Sequence, residues 1–285
     1  MSKGVAGKIK ISRYDDIVGD INDGVTEIEL SELHDFKNHP FRVLDDDKME
    51  ETVESIREHG VLMPGIVRPR KEGGYEIIAG HRRKHACELA GLTKMPVFVR
   101  DYSDDEATVI MVDTNIQRED ILPSEKAHAY EMKYFALKHQ GKKGDSSALD
   151  DMADAAGESA KTIQRYIWLA RLNKPLLEAV DGRKLSFMCG VDISFLDEEA
   201  QSWVQEAFVN GAGINTAQSA QIKEYFKGGE LSEVLVHHIL SGDKSRPRKF
   251  SIKTEKLSKY FDESVSAEEM ETIILDALEE YMAKR

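Results

Sequence analysis

The sequence predicts an α+β fold: a small N-terminal α/β domain, an all-α central region and a helical C-terminal element. Short β-type runs alternate with helical periodicity between Val25 and Asp101, and only helical signals follow, as far as about Gly242. Apolar residues recurring every three or four positions mark helices, and short apolar runs bounded by Gly or Pro mark strands. We therefore divide the chain into a tail (1–25), an N-terminal domain (26–120), a helix-turn-helix domain (121–242) and a C-terminal element (243–285).

In the N-terminal domain the predicted order is helix, hairpin, helix and strand. Met49, Val53 and Ile56 have helical spacing, and Gly60 ends that helix. A turn at residues 73–74 separates two β-type runs. The runs cover residues 65–68 and 75–78, and a helix over 82–90 closed by a glycine and a strand over 96–99 complete the domain.

The central region begins with a Ser-x-x-Glu capping box at Ser103 and Glu106. Pro123 suits the first turn of the next helix, which we expect to reach about Gln140. Residues 141–145 form a loop, and helical signals then continue to about residue 242.

The C-terminal element consists of a basic segment and one helix. The basic segment, 244–259, is equally compatible with phosphate contacts and with a solvated linker. The helix opens with a second capping box, Ser266 with Glu269. Its apolar stripe comprises Met270, Ile273, Ile274, Ala277, Leu278 and Tyr281.

Composition describes a globular chain in the cytoplasm. Of 285 residues 41% are hydrophobic and 32% charged, and no apolar run is long enough to span a membrane or to serve as a secretory signal. Cys87 and Cys189, the only cysteines, have no metal-ligand spacing. The net charge of −13 disfavours nucleic acid unless basic residues cluster locally.

Such a cluster, residues 159–174, begins inside the segment 149–169, which has the pattern of a helix-turn-helix. Ala153 is small where the second helix approaches the first, and Gly157 supplies a positive φ for the tight turn. Ile163 and Ile167 share one face and can close a small core against the first helix. Two ordinary packed helices joined by a Gly turn are the alternative interpretation of the same spacing.

The opposite face of the second helix is the predicted DNA-reading surface, because this part of the motif enters the major groove. Residues 159–174 contain four basic side chains and no acidic one. The predicted DNA-binding residues are Ser159, Lys161, Thr162, Gln164, Arg165 and Arg171.

Two short segments upstream of the helix-turn-helix have the chemistry of an anion site. In residues 79–86, a glycine stands where a strand passes into a helix, followed by Arg82 and Arg83. Backbone N–H groups, the helix N-terminus and two guanidinium groups together could cradle a triphosphate. Residues 113–120 gather amide, guanidinium and carboxylate groups between two helices. Taken singly, each segment could equally be a solvated helix start or a capping cluster.

Together these segments resemble the ParB/RepB partition family over roughly residues 28–240. The resemblance rests on motifs in the family's order, with the helix-turn-helix downstream. The motifs are Pro40-x-Arg42, Gly60-Val61-Leu62-x-Pro64, Gly80-x-Arg82-Arg83-x-x-Ala86 and Asn115-Ile116-Gln117-Arg118-Glu119.

The resemblance implies a CTP-switched clamp that loads at a palindromic, centromere-like DNA site. It implies CTP and Mg²⁺ in the N-terminal domain, a homodimer, a ParA-type ATPase as a possible partner of the tail, and association with the nucleoid. The implied nucleotide-binding residues are Gly80, His81, Arg82, Arg83, Asn115, Arg118, Glu119, Arg42 and Pro64, with Asn115 also proposed at the Mg²⁺.

Four positions depart from the family's pattern. Met63 and Gly65 replace a commoner Gln and an aliphatic residue, and His81 and Thr114 stand where a Glu is usual. Because a carboxylate often orients the attacking water in phosphoryl transfer, we expect CTP binding with slow or no hydrolysis.

Three functions remain open at this point. The same scaffold serves nucleoid-occlusion factors and transcriptional regulators, which differ in the DNA they mark. The N-terminal fold also occurs in sulfiredoxin-like and small-molecule kinase enzymes. A sulfiredoxin would need a reactive cysteine at the cradle, where His81 stands, whereas Cys87 falls on the helix body among apolar neighbours.

Overall fold

The computed structural model describes residues 24–118, 120–140, 145–241, 260–261 and 265–283. The chain divides into two compact units, Met1–Gly242 and Asp243–Arg285. Most of the predicted tail, the predicted loop after residue 140, the predicted basic segment and Glu119 lie outside the described residues. Across the described ranges, every helix is too short or too polar to cross a membrane.

A five-stranded mixed sheet forms the N-terminal part, in the order β1-β5-β3-β4-β2. The β1–β5 and β3–β4 pairs are antiparallel, and the β3–β5 and β2–β4 pairs are parallel. The strands are β1 (Val25–Glu29), β2 (Leu33–His34), β3 (Gly65–Pro69), β4 (Tyr75–Ala79) and β5 (Lys94–Val99).

Helices alternate with the strands up to β5, and the rest of the described chain is helical, as the sequence predicts. They are α1 (Asp47–His59), α2 (His81–Ala90), α3 (Asp104–Asn115), α4 (Pro123–His139), α5 (Asp145–Ala156), α6 (Ala160–Leu169), α7 (Lys174–Asp181), α8 (Phe187–Ile193), α9 (Glu198–Val209), α10 (Thr216–Lys227), α11 (Glu233–Leu240) and, in the second unit, α12 (Ala267–Ala283). The capping box at Ser103 and the proline at the start of α4 are confirmed.

Strict alternation along the strands separates the two faces of the sheet. Val67 and Ile77 pack with α1 and α2 on one face, and their neighbours Ile66 and Ile78 belong to a second cluster on the other. The second cluster continues through α3 and α4 to Ile163 of α6. Because this one core holds residues from both sides of position 120, the division of residues 26–242 into two domains stays a prediction.

A third cluster closes the helical end of the first unit. It joins the end of α6 to α7, α8, α9, α10 and α11, and Leu176 and Val204 lie at its centre. The helix-turn-helix is therefore packed from two sides, by the sheet-facing helices and by the terminal helices. Phe135 of α4 is 51% exposed.

Candidate functional site

A pocket of about 160 Å³ lies where β4 passes into α2, facing the C-terminal end of α3. We call it the anion pocket. Its described lining includes three arginines and no carboxylate, which favours a negatively charged ligand. The lining residues are His39, Val43, Ala79, Gly80, His81, Arg82, Arg83, Thr114, Asn115 and Arg118.

Gly80 makes the floor of the anion pocket possible. Its φ is +117°, and a Cβ here would lie 3.2 Å from the Cα of Gly65. Gly80 is also the N-cap of α2 and has no capping side chain. The first backbone N–H groups of α2 are therefore available to a phosphate oxygen, and the helix dipole favours that charge.

The three arginines of the anion pocket are held differently. Arg82 Nη2 lies 2.9 Å from Asp46 Oδ1, which fixes the guanidinium at the rim, and this partner lowers the pKa of the Asp46 carboxyl. Arg83 Nη1 donates to the carbonyl oxygen of Pro64 at 2.6 Å and to that of Met63. Pro64 thus belongs to the site through its carbonyl, which positions Arg83. Among the described residues, no carboxylate is within ion-pair distance of the third arginine, Arg118.

His81 is buried rather than presented as an exposed phosphate contact. It is 8% exposed, and its Nε2 accepts the backbone N–H of Phe36 at 3.3 Å. Burial, with smaller contributions from His39, Lys84 and Arg83, lowers the pKa of His81 to about 3. The imidazole is therefore neutral at physiological pH. Desolvation acts in this direction because it disfavours the charged form of the ring.

Thr114 and Asn115 end α3 beside the pocket. The Thr114 hydroxyl donates back to the helix, 2.9 Å from the Ile110 carbonyl oxygen. Asn115 Nδ2 donates to the Met111 carbonyl at 2.8 Å, which leaves its Oδ1 as an acceptor. Neutral amide oxygen is a ligand that Mg²⁺ accepts, so Asn115 fits the predicted cation role and Thr114 does not.

Arg42 lies outside the lining of the anion pocket. Its backbone N–H donates to Glu125 Oε1 at 2.8 Å, and its Nη2 lies 3.6 Å from Asp181 Oδ2. Asp181 also accepts the N–H of Ser124 at 2.9 Å. The segment that carries His39 and Val43 is thus tied to the start of α4 and the end of α7.

The helix-turn-helix forms as predicted. Gly157 has a φ of +69°, and its N–H donates to the Ala153 carbonyl at 2.9 Å, which closes α5. Ser159 is the N-cap of α6, and its Oγ accepts the N–H of Thr162 at 3.0 Å. Ile163 is fully buried against the first helix. Capping therefore already engages the Ser159 hydroxyl.

The predicted DNA-reading side chains differ in exposure. Lys161 is exposed on α6, whereas Thr162, Gln164 and Arg165 are half-buried. Arg171 is exposed beyond the end of α6. Burial raises the pKa of the nearby Glu131 carboxyl, and the charge of Arg171 partly opposes that shift. No carboxylate of the described ranges pairs with Lys161 or Arg165, which leaves both cations available to phosphates or bases.

Glu158 is a site residue that the sequence did not predict. It lies in the turn of the helix-turn-helix, and its Oε1 forms an ion pair with Nζ of Lys126 on α4. Both side chains are 22% exposed. The pair neutralises an acidic group beside the predicted DNA surface. Lys126 and Glu158 are 32 positions apart in the sequence, so no local pattern predicts this ion pair.

Two further features bear on the enzyme alternative. Cys87 is fully buried, and burial raises the pKa of its thiol to about 11, which makes it unreactive. On α9 and α11, Glu206, Glu233 and His237 bring their ligand atoms within 4.8 Å of one another, although the sequence showed no metal spacing there. Glu206 and Glu233 are exposed, and solvated carboxylates need no ion to remain stable.

Comparison with known proteins agrees with this arrangement. The family model of the ParB N-terminal domain matches residues 15–116. A probable chromosome 1-partitioning protein ParB of Deinococcus radiodurans is 34% identical over 199 residues, which cover 70% of this chain and 65% of that protein, just under two thirds of its length. A nucleoid occlusion protein of Listeria innocua is 31% identical over 220 residues, which cover 76% of this chain and 74% of that protein.

A solved structure gives a weaker match. The C-terminally truncated chromosome-partitioning protein ParB from Caulobacter crescentus, complexed to the centromeric parS site, aligns with a TM-score of 0.44 at 22% identity and covers 70% of this chain and 98% of that one. On the family model over residues 15–116 and on 31% identity with the Listeria innocua protein over 74% of its length, this chain belongs to the ParB family.

Proposed function

We propose that this chain is a DNA-segregation factor that loads at a palindromic, centromere-like site and switches between open and closed clamp states with CTP. One observation carries the proposal: a single compact unit contains both a pocket lined by three arginines and a helix-turn-helix with available cations. An anion pocket beside a DNA-reading motif has no evident use in a plain DNA binder. The Deinococcus relative, which is named for chromosome partition, supports the same function.

The anion pocket suits a nucleoside triphosphate. Arg82, Arg83, Arg118 and the N-terminus of α2 would hold the phosphates, because forked guanidinium donors and free N–H groups match phosphate oxygens. Asn115 Oδ1 would contact Mg²⁺ carried by those phosphates. The cation would neutralise phosphate charge, while this chain's own residues orient the phosphates. Glu119, the remaining predicted contact, lies outside the described residues.

A homodimer is the assembly we propose. On α12, Ile273, Leu278 and Tyr281 are 49%, 54% and 62% exposed, so the predicted apolar stripe is not covered within one chain. A second copy would bury it, as amphipathic helices require. Contact with a ParA-type ATPase is proposed for the N-terminal tail, which falls almost wholly outside the described residues. Association with the nucleoid follows from DNA binding.

Two measurements test the proposal. Crosslinking of the chain to DNA across the host genome should give a few sharp peaks that share a palindrome. Calorimetry should then show CTP binding in the presence of Mg²⁺, with ATP, GTP and UTP at least tenfold weaker. Equal affinity for all four nucleotides, or none for CTP, would leave a plain DNA binder.

Nucleoid occlusion is the second candidate, because the Listeria innocua relative that carries that name aligns over 74% of its length. The distribution of crosslinked sites separates the two functions. Sites clustered at one locus favour partition, and sites scattered around the chromosome favour occlusion.

Turnover of CTP should be slow. Thr114 bonds its hydroxyl to its own helix and His81 is buried and neutral, so neither is placed to orient a water as a carboxylate does. Thr114→Glu should raise phosphate release in the presence of CTP and the DNA site without tightening CTP binding. Thr114→Val is the matched control and should leave release unchanged. A natural chain that releases phosphate as fast as Thr114→Glu would show that other groups position the water.

A further inference from the structure

The feature that points beyond the proposed function is His39, which the sequence motifs did not single out. It precedes the Pro40-x-Arg42 motif and lines the anion pocket. Its ring lies on the ring of His81, with centroids 3.9 Å apart. Its Nδ1 lies 2.8 Å from the carbonyl oxygen of Phe41. A carbonyl only accepts, so Nδ1 carries the ring proton and Nε2 presents a lone pair.

The lone pair on Nε2 accepts no hydrogen bond from the described residues. Nε2 of His39 is buried and has no hydrogen-bond partner among the described residues. Burial is the main cause that lowers the pKa of His39, and the charge of Arg118 lowers it further. The hydrogen bond to Phe41 and the charges of Asp35 and Glu125 raise it, but by less. The ring is therefore neutral at physiological pH. A buried acceptor without a donor costs free energy that a ligand can recover.

The chemistry of the surrounding groups narrows the ligand. The phosphate-binding groups of the pocket are donors: guanidinium groups and the N–H groups of α2. Among the side chains of the described lining, Asn115 Oδ1 and His39 Nε2 are neutral acceptors for which the structure shows no donor. Phosphate oxygens accept and cannot satisfy an acceptor. Two lone pairs in a phosphate pocket fit a cation that arrives with the phosphates.

We propose that His39 Nε2 is a nitrogen ligand for the divalent cation that accompanies the nucleotide in the anion pocket. The inference rests on the proposed nucleotide binding. Because Nε2 is shielded in the ligand-free chain, the ring must adjust as the cation enters. Imidazole nitrogen favours borderline metals, whereas Mg²⁺ prefers an all-oxygen set. The pocket should therefore bind CTP more tightly with Co²⁺ than with Mg²⁺, and His39 should set that preference.

The experiment uses the full chain and calorimetric titration of CTP in Mg²⁺ and, separately, in Co²⁺. His39→Phe keeps a ring against His81 but removes the lone pair, and it should weaken cation-dependent CTP binding roughly 10- to 100-fold. His39→Gln supplies an oxygen acceptor instead. It should keep binding in Mg²⁺ and lose the Co²⁺ preference, so it tests the idea even if His39→Phe folds poorly. The visible absorption of Co²⁺ with CTP should change on adding the natural chain and not on adding His39→Phe.

His237→Ala is the matched control, because it removes the imidazole of the surface cluster on α11 and should leave the ratio of Co²⁺ to Mg²⁺ affinity unchanged. If the natural chain and His39→Phe bind CTP with the same cation dependence, His39 is not a cation ligand, and the proposed function is unaffected. A natural chain that binds no CTP with either cation overturns both. Equal affinity in Co²⁺ and Mg²⁺ for the natural chain also overturns the nitrogen ligand.

Discussion

The anion pocket and the helix-turn-helix use polar side chains in opposite ways. In the pocket, Arg82, Arg83 and Asn115 each have a partner elsewhere in the chain that fixes their position. On α6, Lys161 and Arg165 have no ion-pair partner within the described ranges. The pocket is thus preorganised for one compact ligand, which limits the entropy lost on binding. The cations of α6 keep rotamer freedom and can adapt to a long, uniform polyanion.

Helix α4 connects these two regions. Its N-terminal turn holds Glu125, which accepts the Arg42 N–H beside the pocket segment. One residue further, Lys126 holds Glu158 in the turn of the helix-turn-helix. A shift of the pocket segment would therefore be felt first at the start of α4 and then at the turn before α6. These contacts link the anion pocket to the helix-turn-helix, and a mutation in α4 can break the link.

The largest effect is expected in the pocket. Arg82→Ala should abolish measurable CTP binding, because it removes a forked phosphate donor and leaves Asp46 unpaired at the rim. Binding of the palindromic DNA site should remain, since α6 is a separate surface. Arg57→Ala is the control, because Arg57 donates to the Leu89 carbonyl and does not line the pocket. Equal loss of CTP and DNA binding in Arg82→Ala would mean that the two regions are not separable.

The link through α4 comes next. Lys126→Met should lower the free energy of unfolding by about 1–3 kcal/mol and weaken DNA binding, because it leaves the partly buried Glu158 without its partner. Lys174→Met removes an exposed i,i+4 pair, with an 88% exposed lysine, and should cost under about 0.5 kcal/mol. Chemical denaturation of the three proteins measures both. If Lys126→Met is as harmless as Lys174→Met, the pair does not hold the turn.

Within α6 the effects should fall on DNA binding and should separate by the type of contact. Arg165→Ala should cost about 1–3 kcal/mol of DNA-binding free energy and relax specificity if Arg165 contacts a base. Lys161→Ala should weaken all DNA sequences alike and reduce the slope of log affinity against log salt by about 1. Fluorescence anisotropy with the palindrome and with point-mutated sites measures both. Uniform weakening by Arg165→Ala would make it a phosphate contact.

A further effect is expected in the pH dependence of stability. His81 has a pKa lowered to about 3 from 6.5. Between these values the unfolded chain binds a proton that the folded chain does not, so stability rises with pH in this window and falls on acidification. One such group contributes at most about 1.4 kcal/mol per pH unit. His81→Gln, which can still accept the Phe36 N–H, should flatten the stability curve between pH 4 and 6.

The control for this titration is His59→Gln at an exposed position on α1, where no buried N–H depends on the ring. Urea denaturation at several pH values gives the curves. A His81→Gln curve with the same slope as the natural chain would show that His81 is protonated in the folded state, contrary to its burial.

Local sequence determined the elements of this protein and the chemistry they carry. The capping boxes at Ser103 and Ser266, the φ > 0 turn at Gly157 and the strands predicted at residues 65–68 and 75–78 are confirmed, because each depends on neighbours within a few positions. The motifs around Gly80 and Asn115 were visible in the same way. That they belong to one nucleotide site was implied by the resemblance to the partition family.

The tertiary structure alone decided which polar groups find partners. His81 becomes neutral because packing buries it, Arg42 turns to Glu125 instead of the pocket, and Lys126 neutralises Glu158. These contacts join residues 32 to 83 positions apart or depend on desolvation by several elements at once. Side-chain charge and hydrogen bonding respond to the local dielectric and to distance in space, neither of which is written in residue spacing. The lone pair of His39 belongs to the same class, since only packing buries it without a partner.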